Sequence, residues 1–198
     1  MKTKEIILNE SLKLFAQKGY DAVGVAEIAE AVGIKAPSLY KHYKSKREIF
    51  ESILTRMSTN DAEKADDYDV PPEKKKDFDE SYENVLPSDI KAYTKAMFLY
   101  WTEEEFSCNF RRMLTVEQYK TSEMGALYQQ YIAGGPVTYM ADIFLKKAGT
   151  KEKAYMLAVE FYSPMHLMYS LYDGGIKTEE ILNLLEKHMD NFFAAINS

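Results

Sequence analysis

Residues 28–43 read Ile28-Ala29-Glu30-Ala31-Val32-Gly33-Ile34-Lys35-Ala36-Pro37-Ser38-Leu39-Tyr40-Lys41-His42-Tyr43, and this stretch decides the fold. Two short helical patterns flank a glycine at which the chain must turn. Gly33 supplies the positive φ that redirects the backbone, small Ala29 lets the two helices approach, and Ile28, Val32, Ile34 and Leu39 fill the inside of the corner. Pro37 suits the N1 position of the second helix, and Leu39 and Tyr43, four residues apart, share its inner side. The opposite face then presents Lys35, Ala36, Pro37, Ser38 and Lys41, with Tyr40 and His42 on the flanks. Such a short helix fits a DNA major groove, about 12 Å wide, and its N–H-rich first turn favours phosphate.

Working outward, Ile7, Leu8, Leu12, Phe15 and Ala16 recur at helical spacing between Thr3 and Lys18, and Gly19 stops the pattern. Gly24 stands at the N-cap of the helix that Val25, Ile28, Ala29 and Val32 define. Ser45-x-x-Glu48 is a capping-box pattern that opens a fourth helix through Ile49, Phe50, Ile53, Leu54 and Met57. From Asp61 to Glu83 there are ten acids, four lysines and Pro71-Pro72, which predicts a hinge or loop. Helical patterns follow over 88–105, 107–120, 122–148, 151–173 and 178–197. Gly134-Gly135-Pro136 is expected to break or bend the third of these, and Pro164 removes a backbone donor inside the fourth. No alternating strand pattern and no fixed-period repeat is present, so the fold class is all-α.

The 198 residues are 46% hydrophobic and 28% charged, with nine Gly and six Pro, which supports a packed core and excludes a disordered chain. One cysteine excludes a disulfide scaffold. Met1-Lys2-Thr3-Lys4-Glu5 leads into an amphipathic segment without a cleavable apolar run, and the most apolar stretch, Ala154 to Tyr172, contains Glu160, Pro164 and His166. A cytoplasmic protein with no membrane partner is expected. The net charge of −6 conceals a segregation: residues 1–57 hold 10 Lys/Arg against 7 Asp/Glu, and the remainder holds 15 against 24. Lys35, Lys41, Lys44, Lys46 and Arg47 fall within thirteen consecutive residues free of acids. Taken alone such a cluster is an ordinary solvated face; set on a helix-turn-helix corner it becomes a nucleic-acid footprint.

Phe15-Ala16-Gln17-Lys18-Gly19-Tyr20, with Ile28–Ile34 and Leu39-Tyr40-Lys41-His42-Tyr43-Lys44-Ser45-Lys46, closely resembles the tetracycline-repressor (TetR) family of bacterial transcriptional regulators. The resemblance covers roughly the first quarter of the chain. It implies an N-terminal three-helix helix-turn-helix DNA-binding unit, residues 1–46. A fourth helix joins that unit to a C-terminal helical ligand-binding and dimerisation domain, residues 47–198. It further implies a homodimer that represses transcription from a pseudo-palindromic double-stranded DNA operator until a small-molecule effector releases it. Carried onto this chain, the family's phosphate contacts fall on Tyr40, His42 and Lys46, and its base-reading positions on Lys35, Ala36, Pro37, Ser38 and Lys41. The chemistry agrees: phenol, imidazole and ammonium donate to phosphates, while Ser38, Lys41, Ala36 and Pro37 can meet base edges or thymine methyls. Gly24 departs from the family, which places a capping and phosphate-touching Thr or Ser there. Ala36 and Pro37 carry no side-chain donors, which shifts weight onto DNA shape.

In the C-terminal part, apolar residues lie on every side of 154–172, as in a surrounded helix. The last helix carries a broad stripe of Ile181, Leu182, Leu185, Met189, Phe192, Phe193 and Ile196. That stripe either docks within one subunit or pairs across a two-fold axis; the resemblance selects pairing, a homodimer through the last two helices. Tyr93, Met97, Trp101, Tyr128, Tyr131, Phe161, Tyr162 and Met165 form the candidate effector set, suited to an apolar or aromatic molecule oriented by phenol hydroxyls. The competing reading for each is core packing. Cys108 has Arg111 and Arg112 one turn away, but no second cysteine to resolve an oxidised thiol. His42, His166 and His188 show no metal-ligand spacing, and neither metal nor cofactor is expected.

Two readings of other classes remain. A small helical enzyme has no nucleophile elbow, phosphate-binding glycine loop or zinc-protease helix to support it, and Glu160, Tyr162 and His166 are only helical neighbours. A dimeric interaction module with vestigial DNA binding would require Gly24 to be disabling.

Overall fold

The structure is a computed structural model, and it describes residues 2–67 and 85–197. Among these every regular element is helical: α1 Thr3–Lys18, α2 Val25–Val32, α3 Ala36–Leu39, α4 Lys46–Asp67, α5 Pro87–Glu103, α6 Glu105–Glu117, α7 Ser122–Tyr131, α8 Gly134–Ala148, α9 Lys151–Asp173 and α10 Thr178–Asn197. The all-α expectation holds. The expected hinge from Asp61 is revised in part, because residues 61–67 continue α4; its remainder to Glu83 lies outside the described residues. Gly134-Gly135-Pro136 divides the long third pattern into α7 and α8.

Two compact units emerge, one made of the chain up to Asp67 with Glu104–Tyr128, the other of α5 and the chain from Gln129 onward. In the first, α1 buries Ile7, Leu8, Ser11, Leu12, Phe15 and Ala16, and its main neighbour is α6, which buries Phe110, Met113 and Leu114. Val23, Ile28, Leu39, Ile49, Phe50, Ile53 and Met57 complete the core. Each such side chain contributes about 1.5–3 kcal/mol on burial. Tyr43 is buried as its register requires, and its hydroxyl donates to the Lys4 carbonyl at 3.2 Å. The cap at Ser45 also forms: its Oγ accepts the Glu48 N–H at 3.1 Å, while the Glu48 carboxylate takes the N–H of Lys44, one residue before the cap.

In the second unit α9 packs along α8 and against α10. Phe161 is the hub of an aromatic cluster, with ring centroids 5.0 Å from Phe192, 5.6 Å from Phe144 and 5.9 Å from Phe193. Pro164 lies inside α9 and has no N–H to offer. Close to that gap, the Phe161 carbonyl accepts from His188 Nε2 at 2.8 Å.

The last helix requires a correction. Ile181, Leu185, Met189, Phe192 and Phe193 are already buried within the single chain, so the stripe expected to pair two subunits is largely occupied by the subunit's own core. The apolar side chains left exposed on α9 and α10 are others: Tyr155, Leu184, and Met156 and Leu167, each 62% exposed. Helix α9 is therefore not enclosed on every side within one chain.

Candidate nucleic-acid interface

The corner forms as its residues demand. Gly33 adopts φ +74°, its N–H bonds the Glu30 carbonyl, and the Ile34 N–H bonds that of Ala29, both at 2.9 Å. Ile28, Ala29 and Leu39 are buried inside the turn. Lys35 caps α3, which makes Pro37 its second residue rather than its first. The regular helix spans four residues, but hydrogen bonds from Tyr40, Lys41, His42 and Tyr43 back to Ala36, Ser38 and Leu39 carry the helical course to Tyr43.

Outside the corner, Lys35, Pro37, Tyr40 and Lys41 are exposed, Tyr40 at 53%, and Ala36, Ser38 and His42 are half-buried. Seven of the eight expected contact residues therefore share one accessible segment. Lys46 does something else. Its Nζ donates to the carbonyls of Tyr20 at 2.7 Å, Val23 at 2.9 Å and Asp21 at 3.4 Å, and lies 4.4 Å above the Tyr20 ring. The family resemblance implies a phosphate contact for this ammonium; the structure directs all three of its donors to the turn between α1 and α2.

Gly24 is the N-cap of α2 and makes no side-chain cap, as expected. Glu27 forms an ion pair with Lys18, and the Lys18 hydrogen bond holds its carboxyl below the ordinary range. A Cβ at Gly24 would meet nothing within 4 Å.

Two anchors on this unit were invisible to local sequence patterns. Glu117, at the end of α6 and 1% exposed, accepts the Tyr20 N–H at 2.8 Å and Lys120 Nζ at 2.7 Å. Arg47 grips Glu123 with both terminal nitrogens, at 2.6 and 2.8 Å, and Glu51 with Nε at 2.9 Å. The partners lie 97 and 76 residues apart, beyond the reach of any periodicity.

The candidate effector residues are spread more widely. Tyr128 falls in the first unit and the other seven in the second. Trp101, Phe161 and Met165 are buried, with Phe161 engaged in the aromatic cluster, while Tyr93, Met97, Tyr128, Tyr131 and Tyr162 are half-buried. Tyr93 meets Tyr139 with ring centroids 5.9 Å apart. A shallow cleft of about 190 Å³ between α5 and α10 is lined by Lys91, Ala92, Lys95, Leu182, Leu185, Glu186 and Met189, none of them in that set. Cys108 and Arg111 are both buried, with Arg111 Nη2 3.9 Å from the sulfur. Among the described residues no group of His, Cys, Asp or Glu could hold a metal, and no helix is long and apolar enough to cross a membrane.

Residues 7–53 match the family model described as bacterial regulatory proteins, tetR family. Over 53 residues the chain is 40% identical to the HTH-type transcriptional repressor ComR of Escherichia coli K12; the match spans 27% of this chain and 25% of ComR. The curated relatives are thus matched over about a quarter of their length. Among solved structures, a TetR-like transcriptional regulator from Rhodococcus sp. RHA1 superposes with a TM-score of 0.69 at 16% identity, covering 97% of this chain and 96% of that one. SmeT, in its complex with triclosan, superposes at 0.60 with 17% identity, covering 98% and 91%. At such identities the likeness concerns the fold, which extends over the whole chain. Residues 7–53 are thus similar to the N-terminal domain of the tetR family of bacterial regulatory proteins.

Proposed function

We propose that the protein is a cytoplasmic, homodimeric transcriptional repressor that binds a pseudo-palindromic operator and is released by a small apolar or aromatic effector. One observation carries this reading: an exposed segment free of acids, Lys35–Lys41, stands out from a helix-turn-helix corner on an otherwise acidic chain. Lys35, Ala36, Pro37, Ser38 and Lys41 meet base edges, and Tyr40 and His42 hold flanking phosphates. Two copies reach successive major grooves, about 34–36 Å apart, when paired through α9 and α10. Exposed Tyr155, Met156, Leu167 and Leu184 support that pairing. Five half-buried members of the effector set retain surface for a ligand, Tyr93, Met97, Tyr131 and Tyr162 in the second unit and Tyr128 in the first; Trp101, Phe161 and Met165 are buried. The complex of SmeT with triclosan supports an aromatic effector.

Selection of bound sequences from random DNA, followed by titration across salt concentrations, tests the reading. For about eight phosphates neutralised by lysine or arginine per dimer the log–log salt slope is about −7. A two-fold symmetric consensus with a slope of that order supports the proposal, and a slope near zero refutes it.

A further inference from the structure

The peptide of Tyr20 is held from both sides. Glu117 accepts its N–H at 2.8 Å, and Lys46 donates to its carbonyl at 2.7 Å. The Tyr20 ring lies between Phe15 and Phe50, with centroids 5.1 and 5.2 Å away. Lys46 is the first residue of α4, two residues beyond Lys44 and directly downstream of the segment that meets DNA. Glu117 is the last residue of α6.

We propose that Lys46 and Glu117 are positioning residues that clamp the Tyr20 turn between α4 and α6, so that the end of α6 is a working part of the DNA-binding module and Lys46 is not among its phosphate contacts. The inference rests on the DNA-binding reading above. An ammonium has three donors, and three carbonyls already face this one. Moving it to a phosphate would strip those carbonyls of their partner. Glu117 has the complementary task, since a carboxylate only accepts and the Tyr20 N–H needs an acceptor inside the unit. If either is removed, the turn samples other arrangements, and the apparent affinity for DNA falls with the fraction of molecules that remain competent.

The two substitutions separate positioning from charge. Glu117→Ala removes a negative charge, so electrostatics alone would tighten DNA binding; loss of the clamp weakens it. Full-length protein is titrated with a generic 30-base-pair duplex over a range of salt, and exchange of the Tyr20 amide hydrogen is followed in parallel. Glu117→Ala is expected to weaken binding roughly three- to tenfold and to accelerate Tyr20 exchange, with Glu117→Gln, which keeps an acceptor oxygen, restoring both. Lys46→Gln is expected to weaken binding with an unchanged salt slope, whereas the loss of a lysine that neutralises a phosphate would flatten the slope by about 0.9. Tighter or unaltered binding by Glu117→Ala, or a flattened slope in Lys46→Gln without faster exchange, overturns the proposal. Failure of the unaltered protein to show a steep slope overturns the DNA-binding reading instead, and the exchange data still decide whether the clamp exists.

Discussion

Arg47 at the start of α4 and Glu123 at the start of α7 form a two-pronged ion pair although 76 residues separate them. Together with Glu117 on Tyr20, it ties the distal stretch 117–123 to the module that carries the family's signature. The pair is half exposed, so its effect is conditional on solvent.

That condition sets a pH dependence. The Arg47 guanidinium holds the Glu123 carboxyl below the ordinary glutamate value of 4.5, and Lys18 does the same for Glu27. Depressed carboxyls contribute stability that is present above the ordinary value and lost as pH falls through the folded one. The thermal midpoint is therefore expected to drop more steeply below about pH 4.5 than in the double variant Glu27→Gln/Glu123→Gln. Equal steepness would contradict the assignment.

His166 moves in the same direction for another reason, since burial alone lowers its pKa from 6.5. The folded state resists charging it, so stability declines as pH falls below 6.5 and levels off beneath the folded value. His166→Gln is expected to flatten the unfolding free energy between pH 7 and 5, measured by urea titration; an unchanged profile argues against a half-buried neutral imidazole.

Gly33 and Gly24 respond to substitution with opposite signs. Gly33→Ala forces a β-carbon onto a residue at φ +74° and is expected to cost about 1–2 kcal/mol, together with loss of DNA binding. Gly24→Thr places an N-cap hydroxyl in open space and is expected to stabilise α2 by roughly a few tenths of a kcal/mol. As the added donor is neutral, tighter DNA binding with an unchanged salt slope is expected. Weaker binding would show that the bare cap is itself required.

Phe161 and Tyr40 test what burial means for a candidate site. Phe161→Ala empties the centre of the aromatic cluster and is expected to destabilise the protein by about 3–5 kcal/mol in urea. A loss below about 1 kcal/mol would return it to a ligand-facing role. Tyr40→Phe removes only an exposed hydroxyl; the melting midpoint should hold while affinity for all duplexes falls roughly threefold.

What could be read in the sequence was whatever depends on near neighbours. The Gly33 corner, the inward Tyr43, the Ser45 cap and the break at Gly134-Gly135-Pro136 all follow from spacings of four residues or fewer, and all are present. Lys46 could not be read, because its partners are carbonyls 23 to 26 positions upstream and a lysine beside a basic cluster looks like any other. Nor could Glu117, whose burial depends on a helix at the far end of the chain. The α10 stripe misled for a related reason: hydrophobic spacing reports that a face is covered but not which chain covers it.

Gly19 shows what this architecture means for engineering. A β-carbon there would lie 2.7 Å from Glu117 Oε1 and 2.6 Å from Lys120 Nζ, so a side chain at this position displaces the Glu117–Lys120 pair that meets the turn. A chimera that grafts this reading head onto another regulator by cutting after α4 leaves its counterpart behind. A functional transplant carries the 117–123 elbow along with the first four helices, or rebuilds it in the recipient.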